Sequence, residues 1–332
     1  MTTRWGIAGT GRMAEVFLSD FAHVPDAEPV AVGSRTAERA RAFADRVGID
    51  GAGTYRDLMA TDIDVLYIAT PHPQHHDLAL AAIEAGVPVL VEKSFTATLA
   101  GARRVADAAR AAEVFCMEAM WTRVQPAVLR AKELVDAGEI GDLLMVQADF
   151  GFHREYDPTD RLFDPALGGG SVLDIGVYVV SIAQHFLGTP HRVAATGTLF
   201  PNGTDASAVI TMSYEDGRAA SVMSTITSST PVRALVVGTG GSIEIAPPFY
   251  QARRLVVRRN GAEAEELDLA VSGLGYAHQI AHVNECLAAG LTESPVVPLQ
   301  DTLDVQWVLE EALAQLGGVT PAEGTVDLGA AP

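Results

Sequence analysis

Short apolar runs alternate with helical patterns through the first 120 residues of the chain. The runs are apolar on both faces, as buried parallel strands are. The stretches between them are rich in alanine and repeat apolar residues at helical spacing. This alternation predicts a doubly wound α/β domain. The predicted strands are Trp5–Ala8, Pro29–Val32, Val65–Ala69, Pro88–Val91 and Val114–Met117, and the predicted helices are Arg12–Phe21, Ala37–Val47, Gln74–Ala85 and Leu99–Ala112.

The pattern changes after Trp121, where strands outnumber helices and turn signals such as Asp216-Gly217 and Asn260-Gly261 separate them. This half is predicted to be an α+β domain built on a mostly antiparallel sheet. The boundaries are therefore residues 1–120 and residues 121–332. The predicted elements are a strand at Leu143–Phe150, a hairpin of Thr204–Tyr214 and Arg218–Thr227, and helices at Ala127–Ala137, Val172–Leu187, Tyr276–Ala289 and Leu299–Gln315.

The charge and the cysteines exclude several classes of protein. With 23 basic and 42 acidic residues among 332, the net charge is −19, which would repel nucleic acid and anionic membranes. Two distant cysteines exclude a disulfide scaffold and a cysteine-rich zinc site. No apolar run reaches the roughly 18 residues of a membrane span, and a strand begins near Arg4, so we expect a cytoplasmic protein.

A glycine-rich loop joins the first predicted strand to the first predicted helix. Gly9 and Gly11, with Ala14, give the spacing GxGxxA over Gly9-Thr10-Gly11-Arg12-Met13-Ala14. In this context the glycines allow a tight turn and a close approach of backbone to a pyrophosphate at the helix N-terminus. The alternative is a glycine-rich turn without a ligand, but the strand–loop–helix context favours a dinucleotide.

The end of the second strand indicates which dinucleotide is bound. NAD-dependent proteins place an acid there to bind the ribose hydroxyls, whereas this chain has Ser34 and Arg35, with Arg39 one turn later. Serine and arginine can hold a 2′-phosphate. The pattern therefore favours NADP over NAD, although a solvated arginine at a helix start would look the same.

Two further motifs carry chemistry. Glu92 and Lys93 end an apolar strand, where a lysine would project into a cofactor crevice, although most lysines at such positions are simply solvated. Asp174 and Tyr178 follow a glycine-rich segment and lie four residues apart, hence on one helical face. Spacing alone fits an ordinary capped helix with a core tyrosine equally well.

Together these motifs resemble the glucose–fructose oxidoreductase/inositol dehydrogenase (Gfo/Idh/MocA) family over nearly the whole chain. Its branch of dimeric dihydrodiol dehydrogenases and NADP-dependent xylose dehydrogenases is the most similar. The matching stretches are Gly9–Ala14, Ala69–His72 with His75, Glu92-Lys93, Met117–Arg123, Ala148–Phe152, Gly168–Tyr178 and Leu291–Pro295.

The resemblance implies roles for particular residues. Lys93 and Tyr178 would be catalytic and Asp174 would border the substrate, a small sugar, polyol or cyclic diol. The remaining cofactor contacts it implies are Thr70, Pro71, His72, His75, Glu92, Trp121, Arg123 and Arg161, and the remaining substrate contacts are Trp121, Phe152 and Tyr276.

Two positions differ from common family patterns. Ser94 replaces the usual proline after the lysine, and Tyr178 stands where inositol dehydrogenases carry histidine. Tyrosine fits the dihydrodiol and aldose dehydrogenase branch.

Hydride transfer to or from a carbinol carbon requires a proton acceptor or donor at its oxygen. A tyrosine ordinarily titrates near 10, and a nearby ammonium lowers that pKa. Tyr178 as acid/base assisted by Lys93 is therefore a complete set, with Lys93 as proton donor left open. Alternatives are a keto-sugar or anhydro-sugar reductase, or a noncatalytic NADP-binding sensor.

Histidines suggest no metal site. His72, His75 and His76 lack a metal-binding spacing, and His278 and His282 are a helical pair that packing or solvation explains. The predicted antiparallel sheet has one face to cover, so we expect a homodimer or a higher homo-oligomer.

Overall fold

The computed structural model describes residues 2–329, which form two compact units. Unit 1 comprises residues 2–119, Ser272–Leu299 and residues 322–329, and unit 2 comprises Met120–Val271 and Gln300–Pro321. The predicted second domain ran unbroken to residue 332, so the structure differs after Val271, where the chain returns to unit 1. The physical reason is a buried contact, since the indole of Trp5 donates to Asn284 Oδ1 at 3.2 Å.

Unit 1 is a doubly wound domain, as the sequence predicted. Its six strands pair in parallel in the order β3-β2-β1-β4-β5-β6. The strands are β1 (Thr3–Ala8), β2 (Ala27–Ser34), β3 (Gly51–Thr54), β4 (Val65–Ile68), β5 (Val89–Val91) and β6 (Cys116–Glu118). The helices are α1 (Arg12–Ser19), α2 (Ala37–Val47), α3 (Tyr55–Met59), α4 (His72–Glu84), α5 (Leu99–Ala112) and α8 (Tyr276–Ala288).

Local sequence explains where these elements begin and end. Thr36 and Thr98 cap α2 and α5, because each hydroxyl accepts a hydrogen bond from the first turn. Gly48 ends α2 with φ of 76°, a conformation that glycine adopts without strain. Every residue of β4 is buried, as expected for a strand covered on both faces.

Unit 2 is built on an eight-stranded sheet in the order β14-β13-β12-β11-β7-β10-β9-β8. All neighbours are antiparallel except β7 and β10, and the predicted hairpin is β9–β10. The strands are β7 (Leu143–Gly151), β8 (Arg192–Leu199), β9 (Asp205–Ser213), β10 (Ala219–Thr225), β11 (Ala234–Gly238), β12 (Gly241–Ile245), β13 (Arg254–Arg259) and β14 (Glu265–Asp268). The helices are α6 (Pro126–Asp136), α7 (Val177–Leu187) and α9 (Leu299–Leu316).

Helix α7 is the core helix of unit 2. A π-helical turn, Val172–Gly176, precedes it, so the predicted single helix at Val172–Leu187 has two geometries. The stretch Pro165–Leu187 has the length and composition of a membrane span, the one such stretch among residues 2–329, but most of it is buried inside the protein. Its apolar character therefore reflects packing against the sheet.

The sheet of unit 2 has a second face with exposed apolar side chains, here called the open face. Alternation along β9 buries Ile210 and Met212 but leaves Val209 outward. The strand register places Met223 beside Val209 and Met145 beside Val237 on the same side. Apolar side chains of neighbouring strands therefore lie side by side on this face.

Candidate functional site

The predicted site residues fall in both units. Unit 1 contains the glycine loop, the end of β2, the loop after β4 and the Glu92–Lys93 pair. Unit 2 contains Trp121, Arg123, Asp174 and Tyr178.

The glycine loop of unit 1 has the geometry of an anion site. Gly9 has φ of 121°, and a Cβ there would lie 2.7 Å from the carbonyl oxygen of Ala69. Gly11 is the N-cap of α1 and provides no capping side chain, and no atom lies within 4 Å of where its Cβ would be. Thr10, Arg12 and Met13 border this space. A pyrophosphate fits here, since uncapped N–H groups favour an anion.

Positive charge gathers at the end of β2. Burial raises the pKa of Tyr55, and Arg35, Arg39 and a hydrogen bond with Ser34 partly offset that rise. Both arginines are exposed, and within residues 2–329 neither forms an ion pair. Their guanidinium groups are therefore available to a phosphate.

The loop after β4 leads directly into helix α4. Pro71 is the N-cap of α4 and His72 its first residue, following Thr70. His75, predicted to contact cofactor, is fully buried with its Nε2 2.7 Å from the carbonyl oxygen of Thr70 and its Nδ1 3.0 Å from that of Ser94. Both ring nitrogens thus face carbonyl oxygens inside unit 1, between the loop after β4 and the segment after Lys93.

Buried carboxylates fix the backbone on both sides of Lys93. Glu92 accepts hydrogen bonds from the Tyr67 hydroxyl at 2.6 Å and from the Lys93 amide at 3.2 Å. Glu118 accepts from the Phe95 amide at 3.1 Å. Glu92 therefore supports Lys93 from within the core, whereas the sequence predicted a cofactor contact, and Glu118 was missed although it ends strand β6.

In unit 2, Tyr178 lies among aromatic rings. The indole Nε1 of Trp121 donates to the Tyr178 hydroxyl oxygen at 3.0 Å. Ring centroids of Phe150 and Tyr250 lie 5.5 Å and 5.9 Å from that of Tyr178. The sequence predicted a substrate contact for Phe152, which packs together with Phe150 against a buried cluster that includes Phe163 and Ile175.

Sequence reasoning missed both Phe150 and Tyr250. Phe150 lies on strand β7, two residues before Phe152, which follows the end of that strand, so alternation offered a signal for it. Tyr250 lies in a short turn after β12, and no local pattern marks it.

The turn before α7 presents a carboxylate. Asp174 forms an ion pair with Arg161 at 3.0 Å, and Arg161 is largely exposed. The start of the turn is held by buried Asp205, which accepts from Ser171 Oγ at 2.9 Å and from the Val172 amide at 2.7 Å. Burial raises the pKa of Asp205. Asp205, which sequence reasoning missed, thus positions the segment that carries Asp174.

Arg123 was predicted to line the nicotinamide, but the structure buries it inside unit 2 with 1% of its surface exposed. Its guanidinium donates to Ser181 Oγ at 2.9 Å, to Gln184 Oε1 at 2.5 Å and to Asp301 Oδ2 at 2.6 Å. Arg123 therefore joins the segment after β6 to helices α7 and α9.

Tyr276 belongs to unit 1, at the first position of α8. Its ring packs edge-on against Phe17, with centroids 6.2 Å apart. Asp20 fixes the preceding loop by accepting from the Leu274 and Ala277 amides at 2.8 Å and 3.0 Å. Asp20 was not predicted, because its partners lie more than 250 residues away in sequence.

The paired histidines of α8 have separate partners. His278 Nε2 accepts from the Ser272 amide at 3.1 Å, and His282 Nε2 lies 2.7 Å from Ser294 Oγ. Within residues 2–329, no three His, Cys, Asp or Glu side chains are grouped as metal ligands.

Comparison with known proteins identifies the family. The profile described as "Oxidoreductase family, NAD-binding Rossmann fold" matches residues 3–120, and that described as "GFO/IDH/MocA C-terminal domain" matches residues 128–244. The trans-1,2-dihydrobenzene-1,2-diol dehydrogenase of Xenopus laevis is 35% identical, over 97% of this chain and 100% of its own.

Solved structures share the fold. Levoglucosan dehydrogenase in complex with NADH and levoglucosan gives a TM-score of 0.87 at 20% identity, over 96% of this chain and 98% of its own. A 3-ketoreductase from Actinomadura kijaniata in complex with NADP gives 0.81 at 23% identity, over 95% and 98%. With both domains matched and the whole length covered, the chain is a dehydrogenase that acts on hydroxyl groups through an NAD(P)-binding domain, and it belongs to the Gfo/Idh/MocA oxidoreductase family.

Proposed function

We propose that the chain is an NADP-dependent dehydrogenase that oxidises a carbinol of a small sugar, polyol or cyclic diol, with Tyr178 as acid/base. The observation that carries the proposal is the buried Tyr178 hydroxyl, which accepts the Trp121 indole N–H in the unit that also presents Asp174. Bound NADP would supply the hydride acceptor. Tyr178 would take the substrate's hydroxyl proton.

Unit 1 supports the cofactor assignment. The glycine loop would hold the pyrophosphate at the N-terminus of α1, and Ser34 with Arg35 would hold the 2′-phosphate. Thr70 and His72 border the loop on the neighbouring strand end. Glu92 and Glu118 fix the backbone that carries Lys93, whose ammonium would favour the phenolate of Tyr178.

The substrate class follows from unit 2 and from the relatives. Phe150 and Tyr250 stack at 4.9 Å beside Tyr178, which suits the flat face of a ring, and the Asp174 carboxylate can accept hydrogen bonds from hydroxyl groups. Curated relatives carry the name of a dihydrobenzenediol dehydrogenase. A cyclic diol is therefore the first substrate to test.

Variants of the two proposed catalytic residues test the assignment. A panel of diols, sugars and polyols is first screened by the absorbance of reduced cofactor. Tyr178→Phe should lower turnover by roughly 10²–10⁴ with cofactor affinity unchanged. Lys93→Met should cost at least as much, and the double variant should lose little more, because the pair would act as one unit.

Matched controls separate chemistry from folding. Tyr156→Phe removes another phenol of unit 2, one that stacks on Phe200, and Lys132→Met removes an exposed ammonium paired with Asp136. Both should keep normal turnover. Near-normal turnover by Tyr178→Phe would mean that Lys93 or a water is the proton acceptor. Near-normal turnover by both Tyr178→Phe and Lys93→Met would refute the site.

The proposal also covers the direction of the reaction, the oligomeric state of the protein and its location in the cell. Turnover only with a ketone and NADPH would favour the keto-sugar or anhydro-sugar reductase, and cofactor binding without turnover would favour a sensor. The open face would pair two subunits, and the protein would act in the cytoplasm, in keeping with its two unpaired cysteines.

A further inference from the structure

The contact between Trp121 and Tyr178 has a fixed polarity. The indole Nε1 and the phenol oxygen are 3.0 Å apart. An indole N–H can only donate, so the Tyr178 oxygen is the acceptor. A hydrogen bond received by that oxygen stabilises the phenolate more than the phenol, because the phenolate bears the negative charge.

The surroundings strengthen this contact. Trp121 and Tyr178 are 4% and 7% exposed, and the rings of Phe150 and Tyr250 pack around the phenol. Little water can compete for the phenolate in such a place, and a hydrogen bond there is stronger than in solvent. Burial on its own would oppose ionisation of Tyr178, and a fixed hydrogen-bond donor counteracts that effect.

The turn that carries Trp121 is also anchored to helix α7, which carries Tyr178. Trp121 opens a short 3₁₀ turn, Trp121–Val124, and Arg123 of that turn donates to Ser181 Oγ at 2.9 Å and to the Ser181 carbonyl at 3.0 Å. Ser181 lies three residues after Tyr178 on α7. The indole and the phenol therefore belong to one packed assembly.

Asp174 and Tyr250 are two other ionisable groups of unit 2 close to Tyr178 in sequence or in space. Asp174 lies one turn earlier and is paired with Arg161. Tyr250, on the turn that packs against the Trp121 ring, has its pKa raised by burial and stays neutral. Neither supplies a positive charge next to the phenol oxygen.

We infer that Trp121 is a positioning residue for the acid/base step, which fixes the Tyr178 oxygen and favours its phenolate by donating the indole N–H. This inference rests on the proposed function of Tyr178. It assigns the indole a role in the ionisation of Tyr178, in addition to any surface that the ring offers to substrate.

The test compares pH profiles of alcohol oxidation. Trp121→Phe keeps an aromatic ring but removes the donor, and the acidic limb of kcat should move up by about one pH unit. Turnover near neutrality should then fall roughly tenfold and recover at high pH. Trp121→His, which retains a ring N–H, should restore part of the shift. Trp307→Phe, on helix α9, is the matched control.

A purely structural role would lower kcat equally at every pH, and that result would overturn the inference. An unshifted limb in Trp121→Phe, with Tyr178→Phe inactive, would refute the inference and leave the proposed function intact. Normal turnover by Tyr178→Phe would instead refute the proposed function.

A second measurement follows the ionisation of the Tyr178 phenol directly and needs no substrate. Ultraviolet difference titration of the wild-type protein against Tyr178→Phe isolates the ionisation of this one phenol. The inference expects the phenolate to form at a lower pH in the wild type than in Trp121→Phe, each titrated against its own Tyr178→Phe counterpart. Ionisation at the same pH in both proteins would overturn it.

Discussion

His75 places its Nδ1 3.0 Å from the carbonyl oxygen of Ser94, the residue that follows Lys93. Burial lowers the pKa of His75 to about 4, so the ring is neutral at physiological pH. A neutral imidazole has one N–H, which it can donate either to Ser94 or to Thr70 on its other side. The backbone beside Lys93 thus depends on a buried uncharged histidine.

This state makes stability depend on pH in a defined direction. An unfolded histidine takes up a proton below about pH 6.5, whereas folded His75 does so only near 4, so falling pH favours unfolding. The contribution of neutral His75 to the free energy of unfolding is complete above pH 6.5. Roughly 3 kcal/mol is lost as the pH falls towards 4. Urea denaturation from pH 7 to 4 should show it. His75→Gln should reduce the slope, part of which remains because burial also lowers the pKa of His185 to about 3, and exposed His191→Gln should not reduce it; equal slopes in both would contradict the assignment.

The second prediction concerns Arg123. Removal of its guanidinium leaves Asp301, Ser181 and Gln184 without their donor, so Arg123→Leu should destabilise the protein by about 3–5 kcal/mol. Arg130→Leu, which breaks an exposed pair with Glu133, should cost less than about 1 kcal/mol. Chemical denaturation measures both. Lost NADPH affinity at unchanged stability would instead support the cofactor contact that the sequence predicted for Arg123.

A third prediction addresses cofactor choice. The protein should bind NADPH more tightly than NADH, and Arg35→Ala should weaken NADPH about tenfold while NADH is unaffected, since only NADPH carries the 2′-phosphate. Arg46→Ala is the control, because that arginine pairs with Glu15. Fluorescence titration gives the affinities of the unmodified protein and of Arg35→Ala for NADPH and for NADH. A preference of the unmodified protein for NADH would refute the assignment.

The fourth prediction concerns the open face of unit 2. Val209→Lys places a charge on an apolar surface that a second subunit would bury, so the variant should be monomeric where the wild type is a dimer or larger. Leu291→Lys changes an equally exposed side chain of unit 1 and should leave assembly unchanged. Light scattering over a dilution series reports the mass. A monomeric wild type at micromolar concentration would exclude the interface.

Periodicity predicted most of the fold because long amphipathic or fully apolar segments are set by local sequence. It missed β3 and α3, since Gly51–Thr54 contains no large apolar residue and becomes a strand only by pairing with β2. It also began α4 at Gln74 although the helix starts at His72, since Pro73 lies in the first helical turn, where proline is well suited.

The candidate site was only partly predictable. The glycine loop and Lys93 follow strands, so their position could be read from the order of elements. The partners of a polar side chain could not be read in this way, because Asp301 lies 178 residues from Arg123 in sequence and His75 reaches Ser94 across strand β5, 19 residues away. Whether an arginine meets a cofactor or an internal carboxylate is decided by tertiary packing.

The return of the chain to unit 1 affects how the protein is made. When residues 2–119 leave the ribosome, Trp5 lacks Asn284 and Asp20 lacks the amides of the loop before α8. All of unit 2's sheet must be synthesised before that segment arrives. The nucleotide-binding half is therefore begun first and completed almost last, and a fragment ending at Ala119 would emerge with part of its core uncovered.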